Sequence, residues 1–329
     1  MSLPTKAPPP AAPPPLDIHG FVELDYSSFL INPQGQALAV QGAETLVAGL
    51  NWTLYKSKTG FINNITVGGG IALDFANSFD GYWGLYNTNG GGTAAGATPK
   101  NSSGDGVLYD SVYFVDASVT FGQYWTLSDT YYNVYSDDVC GTTACAVAAG
   151  AGMGFGWLNF NELKLSLNDS FTGWPITFNP YVTWYYEFTG WDANQMPACF
   201  SCQDNAGDFF IGMTPTLNFK AWGFPQFTLK APTYVTVGSS SFWTNPGCCG
   251  VASSGGVGVF TTGLTGVWNL TWVPANYGNW YFKGGVQWYD IVNSALEASN
   301  QVSLCGAAGP CSNARRDIVV GFAGLGVAF

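Results

Sequence analysis

Residues 261–272 read Thr-Thr-Gly-Leu-Thr-Gly-Val-Trp-Asn-Leu-Thr-Trp, and their alternation decides the fold. Leu264, Trp268, Leu270 and Trp272 share one parity; Thr261, Gly263, Thr265, Asn269 and Thr271 share the other. Side chains of a strand point alternately to opposite faces, so one apolar and one polar set mark a strand between two media. Trp280, Phe282, Val286 and Trp288 likewise oppose Tyr281, Lys283, Gln287 and Tyr289. Phe178, Val182, Trp184, Tyr186 and Phe188 oppose Asn179, Thr183, Tyr185 and Glu187. Residues 209–219 and 227–237 behave the same way.

The pattern predicts strands near 17–29, 43–55, 61–76, 109–121, 123–135, 156–168, 177–190, 208–220, 225–238, 259–272, 279–290 and 317–329. The fifth and sixth alternate poorly at Asp129 and Asn161, which predicts bulges there. Connections alternate in length. Short ones fall at Ser57-Lys58-Thr59, Gly122, Gly173-Trp174-Pro175, Trp222-Gly223 and Pro274-Ala275-Asn276. Long ones fall near 30–42, 77–108, 136–155, 191–207, 239–258 and 291–316. Short turns at one end and long loops at the other are the signature of outer-membrane barrels.

Composition points the same way. Apolar residues make up 47% of the 329 and charged residues only 9%, against about 25% charged in soluble domains. No stretch reaches the roughly 20 apolar residues of a spanning helix; 146–153 and 319–329 are too short or too rich in glycine. Only helices and closed barrels satisfy the backbone in lipid. The expected fold is therefore all-β: an antiparallel, up-and-down transmembrane β-barrel of about 12 strands, with 10 or 14 as alternatives. A formal charge of −11 excludes a nucleic-acid binder. Residues 1–15 form a proline-rich segment, read as a periplasmic spacer, and 16–329 a single barrel. The start is read as mature or recombinant, with an export signal already removed.

Aromatic residues gather at both ends of the expected strands. Trp52, Tyr55, Tyr124, Trp125, Trp174, Trp222, Phe224, Trp272 and Tyr277 lie near the short turns; Tyr26, Phe75, Tyr186, Trp191, Phe209 and Trp288 flank the long loops. Two such belts sit at lipid headgroup level. In the last strand Gly321, Ala323, Leu325, Val327 and Phe329 share one face. This strand resembles the closing strand of bacterial outer-membrane proteins, and the opening residues 3–9 resemble mature starts from alphaproteobacteria. The resemblance implies recognition of the strand ending at Phe329 by the barrel-insertion machinery. It also implies an outer-membrane location beside lipid bilayer and lipopolysaccharide, with both termini periplasmic.

All eight cysteines fall in the last four long loops, two in each: Cys140 and Cys145, Cys199 and Cys202, Cys248 and Cys249, Cys305 and Cys311. Local pairing is the simplest disulfide scheme for an oxidising surface. Cross-loop pairing stays open, because a Cys248–Cys249 ring would be strained. No βαβ context supports Cys199-x-x-Cys202 as a redox motif, and a zinc site lacks further ligands. The only histidine, His19, is read as a lumen or rim residue rather than a catalytic base. No enzyme, cofactor or metal is expected.

Parity assigns Glu23, Asp25, Asp74, Asp116, Glu162, Lys164, Tyr185, Glu187, Lys230, Tyr281 and Lys283 to the lumen as pore-lining candidates. Asn218 and Lys220 are placed there too. An acidic mouth concentrates cations. One expectation is therefore a porin-like channel for small neutral or cationic solutes. The charges could equally pair across the lumen and fill it, and inward Tyr181, Tyr185, Tyr234, Tyr281 and Phe322 could occlude it. A second expectation is a non-conducting surface barrel that acts through disulfide-stapled loops.

Overall fold

The computed structural model describes residues 17–35, 37–39, 43–76, 107–136, 156–189, 206–243, 255–294, 296–297 and 316–329. Among the described residues the barrel has twelve strands, β1 (Asp17–Ser27), β2 (Ala43–Lys56), β3 (Ile62–Ala76), β4 (Val107–Phe121), β5 (Trp125–Ser136), β6 (Gly156–Leu167), β7 (Ile176–Thr177, then Pro180–Thr189), β8 (Ala206–Met213, then Thr216–Asn218), β9 (Phe227–Lys230, then Thr233–Gly238), β10 (Gly256–Asn269), β11 (Asn279–Ile291) and β12 (Asp317–Ala328), and Leu30–Ile31 pairs with Ala37–Ala39 as a separate small hairpin. Each strand pairs antiparallel with its sequence neighbours, and β12 pairs with β1, so the sheet closes into a barrel. The Gly20 N–H donates to the Phe329 carbonyl at 2.8 Å and the Phe329 N–H to Gly20 at 2.9 Å. The Phe329 ring covers Gly20, where a Cβ would lie 2.5 Å from it.

Burial alternates along the wall. Leu24, Leu50, Val115, Ile211, Leu264 and Val286 are exposed outward, while their neighbours face a half-buried interior. An apolar exterior around a polar interior inverts the soluble pattern and is the arrangement that lipid demands. No described helix is long and apolar enough to cross a membrane. Trp52, Trp125, Trp174, Trp222, Trp272 and Tyr277 are exposed at the short-turn end, and Tyr26, Phe188 and Phe209 toward the other.

Three strands expected to be continuous each break once. The breaks fall at Phe178-Asn179, just before Pro180, at Thr214-Pro215 and at Ala231-Pro232. Proline has no N–H to give to a ladder. The breaks lie side by side: Thr214 donates to the Phe178 carbonyl, Ala231 to Pro215 and Gly263 to Pro232, at 2.8, 2.8 and 3.0 Å. The sheet therefore bends along one line across β7, β8 and β9.

Two further expectations are corrected. Lys220 lies on no strand but is exposed within the 3-10 turn Phe219–Trp222, which Asn218, the last residue of β8, caps. The β5–β6 register also runs unbroken from Trp125↔Leu167 to Ser136↔Gly156, without bulges at Asp129 or Asn161. Asp129 keeps register by pointing outward, opposite Ala117 and Leu163. The register shifts lie elsewhere, as between Thr53 and Tyr55 and between Glu187 and Thr189.

The short turns carry their own chemistry. Gly122 and Gln123 both adopt positive φ, +55° and +71°, and the Gln123 N–H is held by the Asn63 side chain at 2.7 Å. Asn168 and Asn218 each cap a 3-10 turn that ends in a left-handed glycine, Gly173 or Gly223. The proline segment, most of the long loops and all eight cysteines lie outside the described residues, so the disulfide expectation is neither supported nor opposed.

Candidate functional site

The interior divides into a polar wall and an apolar plug. Glu23 and Asp25 on β1 face inward with Lys283 and Tyr281 from β11. Lys283 Nζ lies 2.6 Å from Glu23 and 2.8 Å from Asp25, and the Tyr281 hydroxyl donates to Glu23. β12 runs between them, and its inward residues at this height are Gly324 and Gly326. A Cβ at 324 would overlap the Asp25 carboxylate, and one at 326 the Tyr281 ring. Both glycines are needed because long side chains from β11 must cross β12 to reach β1.

The remaining polar residues follow one register row. Asn51 pairs with Gly68, Gly68 with Asp116, Asp116 with Thr130, Thr130 with Glu162, Glu162 with Tyr185, and Tyr185 with Asp208. Rows perpendicular to tilted strands climb along a barrel. This one leaves Asn51 in the short-turn half of β2 and reaches Asp208 near the long-loop end of β8. Asn51 and Asp116 lean over Gly68, where a Cβ would strike both. Lys164 sits two residues from Glu162, its Nζ 4.2 Å from the Tyr181 ring centroid. Asp74 accepts a bond from Thr45. Lys230 is exposed, in register with Thr216 and Thr265 on the inward parity.

Acids outnumber lysines on this surface: Glu23, Asp25, Asp74, Asp116, Glu162, Glu187 and Asp208 against Lys164, Lys230 and Lys283. Among the ion pairs of the described residues, Lys283 makes those that cross the lumen wall, to Glu23 and Asp25. Among the described residues no ion pair reaches Asp74, Asp116 or Glu162.

The long-loop half of β7–β12 carries the plug. Tyr185, Phe210, Tyr234, Val259, Tyr289, Ile291, Ile318 and Val320 form one buried cluster with Phe242, Trp243 and Leu296 from the connections; Phe29, Ile31, Phe160 and Tyr181 pack against it. The first long connection turns inward, where the Tyr234 hydroxyl donates to the Pro33 carbonyl at 3.0 Å. Gly35, with φ +86°, abuts Ile291 and Val259. The short helix Ser240–Trp243 drives Phe242 and Trp243 inward, 3% and 5% exposed, and the Trp243 indole donates to the Gly256 carbonyl at 3.2 Å. Parity placed Tyr181, Tyr185 and Tyr234 inside. It gave no sign of Phe242, Trp243 or Leu296, which lie in connections without a period.

No protein-family model matches the sequence, and no curated protein matches it. Solved structures match in broad outline. OprB of Pseudomonas putida is 10% identical, over 95% of this chain and 94% of that one, with a TM-score of 0.38. The transport unit of the autotransporter AIDA-I from Escherichia coli is 11% identical, over 95% and 90%, at 0.37. A FadL homologue of Pseudomonas aeruginosa is 12% identical, over 94% and 89%, at 0.34. The functional reading rests on the geometry of the barrel itself.

Proposed function

We propose that the protein is a restricted diffusion channel of the bacterial outer membrane, passing small cations and neutral solutes. Short turns and both barrel termini face the periplasm in this reading, and the long loops face outward beside lipopolysaccharide. The observation that carries it is the unpaired acidic wall. Among the described residues, Asp116 and Glu162 face the interior without an ion pair. An ionised carboxylate needs water or a counter-ion, so the polar wall calls for an aqueous passage rather than a solid core. Acid excess in such a passage concentrates cations. A barrel of this strand number is narrower than wide aqueous porins, and the plug narrows it further. β12 and Phe329 would serve the insertion machinery.

The test is reversal potential in planar bilayers under a salt gradient. Cation preference is expected, and Asp116→Asn with Glu162→Gln should weaken it. Anion preference sinks the reading. The plug favours a second reading, a non-conducting surface barrel that works through its cysteine-bearing loops. Silence in bilayers, maintained after the plug is loosened, would establish that one instead.

A further inference from the structure

The polar row of the wall has a neighbour one step toward the long loops. Phe21 on β1 pairs with Gly49, Gly49 with Gly70, Gly70 with Phe114, Phe114 with Tyr132, and Tyr132 with Phe160. All six positions share the inward parity, so four rings and two glycines form one line across β1 to β6. The Phe21 ring lies over Gly49, where a Cβ would come within 2.7 Å of it, and the Phe114 ring over Gly70, where a Cβ would come within 2.5 Å. A ring laid against bare backbone turns its other face to the interior. Phe114 and Tyr132 have centroids 6.2 Å apart, and Tyr132 stacks on Phe160 at 4.6 Å with planes 18° apart. Phe160 meets Tyr185 at 4.9 Å, so the line ends against the plug. Its four rings are themselves only half-buried. The next row toward the loops, Val47, Ala72, Val112 and Val134, is aliphatic, so filling the interior does not by itself call for rings.

Aromatic faces and carboxylates stand side by side along this line. Asp116 is two residues from Phe114 on the same face of β4, and Glu162 two residues from Phe160 on the same face of β6. Residues two apart on a strand are separated by about 7 Å, so one small organic ion can touch both kinds of group. The face of an aromatic ring attracts a cation, and quaternary ammonium ions are the ligands that such faces suit best. Carboxylates attract the same charge. A small inorganic ion keeps its water and gains little from the rings. A neutral sugar would stack on the rings without drawing on the charge of the two acids. We propose that Phe21, Phe114, Tyr132 and Phe160, with Asp116 and Glu162 beside them, form a lumenal binding track for small alkylated ammonium ions, quaternary ones above all. The track deepens the channel reading and rests on it for transport, while binding itself is measurable whether or not the barrel conducts.

The probes are choline and neohexanol, its uncharged isostere, with the full-length folded protein in detergent. Equilibrium dialysis should show saturable choline binding, and neohexanol should bind about tenfold more weakly. Phe114→Leu with Phe160→Leu keeps the wall apolar and should weaken choline several-fold, as should Asp116→Asn with Glu162→Gln. Phe209→Leu, on the outward face, should leave binding unchanged. Should the double leucine variant fail to fold, the comparison of the two probes on the wild-type chain decides alone. Equal binding of choline and neohexanol overturns the track, and so does choline binding that survives the loss of both rings. In planar bilayers, reversal potentials between choline and sodium should favour choline more in wild type than in the leucine variant. Equal values overturn the track even where cation preference holds. Silence in bilayers with choline still bound in detergent would sink the channel reading and uphold the track as a binding site.

Discussion

Gly324 and Gly326 stand between two acids on β1 and the Lys283 and Tyr281 side chains on β11. Gly324→Val should push Lys283 off Asp25 and destabilise the barrel by about 1–3 kcal/mol, as overpacking does. Urea unfolding in phosphatidylcholine vesicles measures it, and an unchanged midpoint would contradict the crossing geometry. Asp169, in a turn outside the spanning strands, makes a different demand. Burial opposes its charge, but the Phe178 and Asn179 N–H groups bond it at 2.8 and 3.0 Å and hold its pKa below the usual carboxylate value. A lowered folded pKa gives stability that is present above the unfolded value and lost as pH falls through the folded one. Asp169 secures the bend where Asn179 takes φ +47°. Wild type should therefore lose unfolding midpoint below about pH 4, near the free carboxyl value, more steeply than Asp169→Asn does. Parallel pH curves would refute that role.

At the scale of strands, much was legible because a two-residue period survives whatever the loops do. The outward Leu264, Trp268 and the inward Thr261, Thr265 of β10 sit as their parity requires. The side-by-side breaks were also written in the sequence, since Pro180, Pro215 and Pro232 lie inside the apolar runs. A proline inside a run argues against a continuous strand, and only the three-dimensional register shows that the breaks align. Lys220 was misplaced because parity was carried past the end of β8, into a turn whose Asn and Gly caps mark the stop. Asp129 misled in the opposite direction. A polar residue on the apolar parity suggested a bulge, yet the strand stays regular and presents the carboxylate outward. Acids on the lipid face cost less than the ~2–4 kcal/mol of lysine or arginine at midplane. Asp129→Leu should thus stabilise the barrel in vesicles by about 1 kcal/mol. Clear destabilisation would mean that Asp129 has a polar partner within the membrane.

For the molecule as a whole, the question is what the plug does to the lumen. Its loop-borne members were invisible to sequence reading, because connections have no period and the rings of Phe242 and Trp243 look like belt residues until the chain folds them inward. The polar wall and the plug occupy different parts of the same interior: the wall runs from Lys283 on β11 through Glu23 and Asp25 on β1 to Glu162 on β6, and the plug lies on the long-loop half of β7 to β12. A channel built this way has its resistance in the plug and its selectivity in the wall, so the two are separable by mutation. Phe242→Ala with Trp243→Ala removes two buried rings from connections rather than from strands. The change should cost about 3–5 kcal/mol locally for each ring, loosening the plug while the closed ladder keeps the barrel folded. Single-channel conductance should rise, and the cation-to-anion ratio should stay close to wild type because Asp116 and Glu162 are untouched. Asp116→Asn with Glu162→Gln should give the complementary result, a changed ratio at nearly unchanged conductance. If loosening the plug leaves the barrel silent, the wall is not a passage, and the interior must be read as the packed base of a surface protein.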